Sequence, residues 1–187
     1  MNSNHLRLTG VFRSDIEPWD PREHAVSALG PLPGQVLCHQ QTELDVADGG
    51  QLLFCEWLAP GRVAGGESFA FDELLWDTDI HFGGQLCARE RYRLSPDDFS
   101  LTPLRTAFPH SHYLGFFAIG WPHWPAQALD EMDATDGLWC GHGPLSAGGG
   151  TVKILCADSL IARRTFHRVR EIFYAALGRN VPALRRF

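Results

Sequence analysis

The heptapeptide from Leu52 to Leu58, LLFCEWL, constrains the fold more than any other stretch. Read as a strand, it places Leu52, Phe54 and Leu58 on one face and Leu53, Cys55 and Trp57 on the other. A strand that is apolar on both faces is covered on both sides. Glu56 interrupts the first face. Burying a carboxylate is costly unless it is paired or hydrogen-bonded. Two readings therefore stand. The residue types alone favour a strand-end glutamate that reaches water, and the alternative is a carboxylate held inside for a purpose.

Flanking segments extend this pattern. Val36, Leu44 and Val46 mark a preceding strand from Gln35, and Asp48-Gly49-Gly50 is a turn signal. These predict a hairpin that pairs Val46 with Leu52, Leu44 with Phe54 and Thr42 with Glu56. A loop from Ala59 to Glu67 follows, with Gly61, Gly65 and Gly66 giving backbone freedom. It lacks the Gly-Lys-Ser/Thr of a phosphate loop, and no helical pattern follows it. Arg62 and Glu67 flank the turn and are placed to pair across it.

The next hairpin has the clearest alternation. Leu74, Trp76, Thr78, Ile80 and Phe82 share one face, with Asp77, Asp79 and His81 opposite. The returning arm has Leu86, Ala88, Glu90, Tyr92 and Leu94 on one face and Arg89, Arg91 and Arg93 on the other. A three-residue loop, Gly83 to Gln85, pairs Phe82 with Leu86 and Trp76 with Tyr92. It also sets Asp79 against Arg89 and Asp77 against Arg91, and opposite charges across a ladder favour that register. The acidic and arginine side chains read as a solvated face.

Further along, Tyr113 to Ile119 is an apolar strand preceded by His110 and His112. Pro125 fits the first turn of a short helix reaching about Ala134, which Gly137 ends. Leu138-Trp139-Cys140 reads as a strand edge, and Gly148-Gly149-Gly150 leads into a buried-type strand from Thr151 to Cys156. Asp158 or Ser159 caps a final helix over about 159–177. Its apolar stripe is Leu160, Ile161, Val169, Ile172, Phe173 and Ala176, with Arg163, Arg164, His167, Arg168 and Arg170 on the remainder. The 19 Gly and 12 Pro punctuate short apolar runs and favour many short strands. Residues 1–34, broken by Pro18, Pro21, Pro31 and Pro33, form an irregular lead-in to a domain over 35–187.

Several function classes lose support. The net charge of −6 argues against nucleic acid as the main ligand. No apolar run approaches the ~18 residues of a membrane span, and the first residues lack the apolar core of a secretory signal. A cytoplasmic protein is expected. The 5 cysteines, at 38, 55, 87, 140 and 156, show no Cys-x-x-Cys spacing and read as free thiols. Known hydrolase, nucleotide and zinc-protease motifs are absent, so a non-enzyme is expected. A small metal-dependent hydrolase that uses His110, His112 and a nearby carboxylate is a further alternative. Seven arginines against Glu171 from Ser159 onward make the C-terminal end basic, so Arg163, Arg164, Arg168 and Arg170 are candidates for a surface that meets an acidic partner.

The run LLFCEWLAPGRVAGGESFAF resembles the central signature of the UreD (UreH) family of urease accessory proteins: a hydrophobic strand bearing a Glu, then Gly-Arg-x-Ala-x-Gly-Glu-x-Phe. Here these are Glu56, Gly61, Arg62, Ala64, Gly66, Glu67 and Phe69. GGQLCARERYRLSP and the glycine–strand–helix ending are similar to the family as well, and the resemblance runs from about Gln41 to Phe187. The family's N-terminal glycine-rich and Thr-Thr-Gln motifs are not found, so a shortened member is expected. The resemblance implies a mainly β fold of stacked, mixed sheets of many short strands, with one or two helices near the C-terminus. It implies a scaffold that meets UreF-type and UreG-type accessory proteins and apo-urease, with no tightly bound cofactor and with nickel in transit. A conduit must release its ion, and carboxylates hold nickel less firmly than thiolate or imidazole clusters. Glu56 and Glu67 are then the candidate transient ligands, with loop stabilisation by Arg62 an equal alternative for Glu67. A divergent binding module of the same fold is the competing reading.

Overall fold

A computed structural model describes residues 37–61, 63–65, 69, 72–95, 111–132, 136–146 and 148–182. The proposed lead-in over 1–34 lies outside them. In chain order the elements are β1 (Leu37–Val46), β2 (Leu52–Leu58), a 3-10 turn (Val63–Gly65), β3 (Glu73–Phe82), β4 (Gln85–Leu94), β5 (His112–Ile119), α1 (Ala126–Asp130), β6 (Leu138–Pro144), β7 (Gly149–Cys156) and α2 (Ser159–Ala176). The fold is mainly β, as expected.

Among the described residues, seven strands form two stacked sheets. The outer one has the order β1-β3-β4, and the other β2-β5-β7-β6. β1 runs parallel to β3 and β3 antiparallel to β4, so the outer sheet is mixed. The second sheet is antiparallel throughout. It occupies the middle of the molecule. Leu52, Phe117 and Ile119 on one of its faces pack with Leu44, Val46, Ile80 and Ala88 of the outer sheet. Leu114, Phe116, Val152, Ile154 and Cys156 on the other face pack with Ala162, Val169, Ile172 and Phe173 of α2. That is the physical meaning of a heptapeptide apolar on both sides: β2 lies in a layer with a core above it and another below it.

The predicted hairpin between β1 and β2 does not form. Gly50 N–H donates to Ala47 O at 2.9 Å and Gly49 has φ +74°, so the turn is real. It carries the chain from the outer sheet to the middle one. Val46 pairs with Phe82 and Leu52 with Ile119. Leu44 and Leu52 still share a core, but across layers and not along a ladder.

The β3–β4 register is as expected over most of its length: Trp76 pairs with Tyr92, Asp77 with Arg91 and Asp79 with Arg89. The loop differs. Gly83 and Gly84, with φ +57° and +77°, make a two-residue turn that pairs Phe82 with Gln85. Such a turn would put the two arms' faces out of step. A bulge after Ile80 leaves Cys87 as the extra residue and restores Ile80 opposite Ala88.

Asp158 caps α2, accepting from the N–H groups of Leu160 and Ile161 at 2.8 Å. The buried stripe is Ala162, Thr165, Val169, Ile172 and Phe173. Leu160, expected in the stripe, lies off this line in the first turn and is exposed. Arg170, expected outside, is buried: its guanidinium lies over the Phe166 ring and donates to Pro182 O at 2.7 Å. The chain returning at Pro182 gives that cation its partner.

Candidate functional site

Two strands bring Glu56 inside. β2 places its side chain on the face toward the outer sheet, where it is 3% exposed. β3 supplies two donors, two positions apart on one face. Trp76 Nε1–H donates to Glu56 Oε1 at 2.9 Å, and the Thr78 hydroxyl donates to the same oxygen. The second oxygen, Oε2, is buried with no hydrogen-bond partner. Burial pushes the Glu56 carboxyl above the usual carboxylate range, and the Thr78 and Trp76 hydrogen bonds and the Lys153 charge only partly oppose it. The strand-end reading is therefore overturned: this carboxyl lies between sheets and does not reach water.

Around it is a polar cluster that the sequence pattern did not disclose. β4 contributes Glu90 and Tyr92, β5 contributes Tyr113, and β7 contributes Lys153. Lys153 Nζ lies 2.6 Å from Glu90 Oε1 and donates to the Tyr92 hydroxyl at 3.0 Å. Tyr92 donates to Glu90 Oε2 at 2.5 Å. Its one proton being committed, it accepts from the Tyr113 hydroxyl at 2.5 Å. Burial foremost, then the Glu90 bond, holds the Tyr92 phenol far above its ordinary value, and burial does the same for Tyr113. Both phenols stay neutral and serve as hydrogen-bonding groups.

The middle sheet aligns part of this cluster in one cross-strand row. Glu56 pairs with Gly115, and Gly115 with Lys153. Gly115 adds no side chain between carboxylate and ammonium. A Cβ there would stand 2.9 Å from the Tyr113 hydroxyl oxygen, so the glycine makes room for the phenol.

Other candidates are placed as follows. Gly61 has φ +106° and Gly65 ends the 3-10 turn, with Phe69 N–H donating to Pro60 O at 2.6 Å to close the loop. Arg62, Gly66 and Glu67 lie outside the described residues, as does His110. His112 is buried, and its Nδ1 accepts from Trp57 Nε1–H at 3.1 Å. Burial lowers its pKa against the pull of Asp158, so the ring is held neutral with its proton on Nε2. It faces α2, on the side of the middle sheet opposite Glu56. Burial also raises the Cys55 thiol far out of reach of neutral pH and Cys156 to about 11. Among the described residues no group of three or more His, Cys, Asp or Glu is placed to hold a metal. Arg163, Arg164 and Arg168 are exposed on α2 and form a basic face with His167, which Arg170 does not share.

Lys153, Glu90, Tyr92 and Tyr113 escaped the sequence reading because each sits in an ordinary alternating strand. One signal was available: Lys153 is the only lysine of the chain, in a strand read as buried.

Comparison with known proteins bears on this arrangement. The model of the UreD urease accessory protein family matches residues 35–187. A protein of Opitutus terrae named urease accessory protein UreD is 26% identical over 186 aligned positions, covering 90% of this chain and 67% of the relative. One from Actinobacillus pleuropneumoniae serotype 5b, with the same name, is 26% identical over 162 positions, covering 80% of this chain and 60% of the relative. A third, from Herpetosiphon aurantiacus, is 45% identical over 60 positions, covering 32% of this chain and 21% of the relative. The alignments thus span about two thirds or less of these relatives' lengths.

Proposed function

The chain belongs to the UreD urease accessory protein family, and from that premise we propose that it is a non-catalytic scaffold through which nickel passes on its way to apo-urease. The observation that carries this reading is the Glu56 carboxyl: enclosed between two sheets, bonded through one oxygen and bare at the other. A carboxylate oxygen of that kind gives a divalent ion a place to rest without the grip of a thiolate or imidazole cluster. Glu67 is the second proposed transient ligand, with Arg62 and the glycines Gly61, Gly65 and Gly66 shaping the loop between them. Nickel is cargo here and not a resident cofactor.

The proposed partners are UreF-type and UreG-type accessory proteins and apo-urease, in the cytoplasm. Among the described residues no helix is long and apolar enough to cross a membrane. The exposed Arg163, Arg164 and Arg168 on α2 form the proposed docking face for an acidic partner, a contact that rising salt weakens.

The test is urease activation in a reconstituted accessory system. Glu56→Gln keeps the shape of the side chain and removes the acid group that an arriving ion would deprotonate. Activation should fall while the circular dichroism spectrum stays that of the parent. Full activation by the Glu56→Gln, Glu67→Gln double variant would discard the passage.

A further inference from the structure

Every cationic side chain of this protein other than histidine is an arginine, save Lys153. The exception sits in the inter-sheet cluster. A guanidinium is a planar fork that needs space and several acceptors, whereas an ammonium is a compact point charge on a flexible stem. Of the two, the compact ammonium is the nearer to a small metal ion in size and in concentration of charge.

Its surroundings are those a small cation seeks. The ammonium has a Glu90 oxygen at 2.6 Å, a Tyr92 hydroxyl oxygen at 3.0 Å and the Phe117 ring face at 4.7 Å. Two ladder steps away, across the side-chain-free Gly115, Glu56 keeps a buried oxygen without a hydrogen-bond partner, and its carboxyl feels the Lys153 charge. One carboxyl thus contacts the ammonium and a second lies across the same row. The seat is not sealed, because the Lys153 side chain is 25% exposed and its stem can carry the charge outward to water.

The geometry points to Lys153 as a resident cation that competes with a divalent ion for Glu56 and Glu90, and so gates the passage. This inference rests on the reading of Glu56 as part of a nickel route and adds its regulation. While the ammonium is seated, repulsion between like charges disfavours an ion beside it. When the ammonium swings toward water, Glu90 and the bare oxygen of Glu56 are both open to the ion. Its return expels the ion. The cluster then holds nickel in transit and not in store.

Nickel alone, titrated calorimetrically into the full chain, tests the gate. Lys153→Met keeps the stem and removes the charge, and should bind nickel about tenfold or more tighter than the parent. Adding Glu56→Gln to that variant should cancel the gain. Equal nickel affinity in the parent and in a folded Lys153→Met variant would overturn the proposal. A second measurement needs no variant. Lys153 carries the only side-chain amine, so its acetylation rate, read by mass spectrometry of the Lys153 peptide, reports where the ammonium is. Saturating nickel should raise that rate, and a rate indifferent to nickel would overturn the gate. Urease activation by Glu56→Gln tests the passage itself, so the failure of either idea is visible apart from the other.

Discussion

At the scale of single residues, the protein's unusual feature is a buried carboxyl between two sheets that forms no salt bridge among the described residues. Trp76 and Thr78 satisfy one oxygen of Glu56, and that arrangement tolerates a neutral acid better than an anion. Its pH dependence has a definite sign. With the pKa raised on folding, the folded chain keeps a proton that the unfolded chain releases. The stability linked to that proton is complete below the ordinary carboxylate value and is lost as pH rises through the folded value. Glutamine cannot ionise. The stability of Glu56→Gln relative to the parent should therefore improve as pH rises above the ordinary carboxylate value of about 4.3. Urea denaturation of both chains at rising pH measures it. A difference independent of pH would mean that Glu56 titrates alike in the folded and unfolded chains.

At the scale of elements, the question is how strands find partners. Gly149 shows how strictly one ladder is fixed. It pairs with Ile119 at the start of β7, holds φ +90°, and leaves no room for a Cβ, which would fall 1.8 Å from Ala118 O. Gly149→Ala should destabilise the protein by at least about 2 kcal/mol, from backbone strain and displaced backbone together. Chemical denaturation gives the number, and a loss below half of that would show that β5 and β7 can part locally without cost. The glycine run before Thr151 was visible in the sequence, and so were most strand positions, since alternation and breakers are local. The β3–β4 register was visible too, because a one-residue slip would take Asp77 and Asp79 off Arg91 and Arg89 and onto the other face. Pairing between distant segments was not. A turn at Asp48-Gly49 looks the same whether the next strand returns along its neighbour or crosses to another layer. The apolar pattern of β2 called for two covered faces, but nothing local named β5 as its neighbour. Glu56 was read only as a choice between water and interior, because Trp76 and Thr78 come from a strand 20 and 22 residues away.

At the scale of the whole molecule, one sheet serves two cores. The outer sheet covers one face of β2, β5 and β7, and α2 covers the other. Ile80 is fully buried on the first side and Phe173 fully buried on the second. If the layers were independent, loss of packing under α2 would leave the sandwich and its polar cluster standing. The shared sheet argues against that, because β5 carries Phe116 to one core and Phe117 to the other, at adjacent positions of one backbone. Releasing either face frees the strand that orders both. Ile80→Ala and Phe173→Ala should therefore each lower one common unfolding transition, by roughly 2–5 and 3–5 kcal/mol. Far-ultraviolet dichroism and tryptophan fluorescence should give the same midpoint in each variant. A Phe173→Ala chain whose α2 amides lose hydrogen-exchange protection while those of β3 and β5 keep theirs would show that α2 is a separable cover. The inter-sheet carboxyl would then need no support from the helix side, and the basic face of α2 could engage a partner without disturbing it. A single transition instead ties the two, so that a partner on the proposed docking face of Arg163, Arg164 and Arg168 would bear on the sheet that holds Glu56 and Lys153.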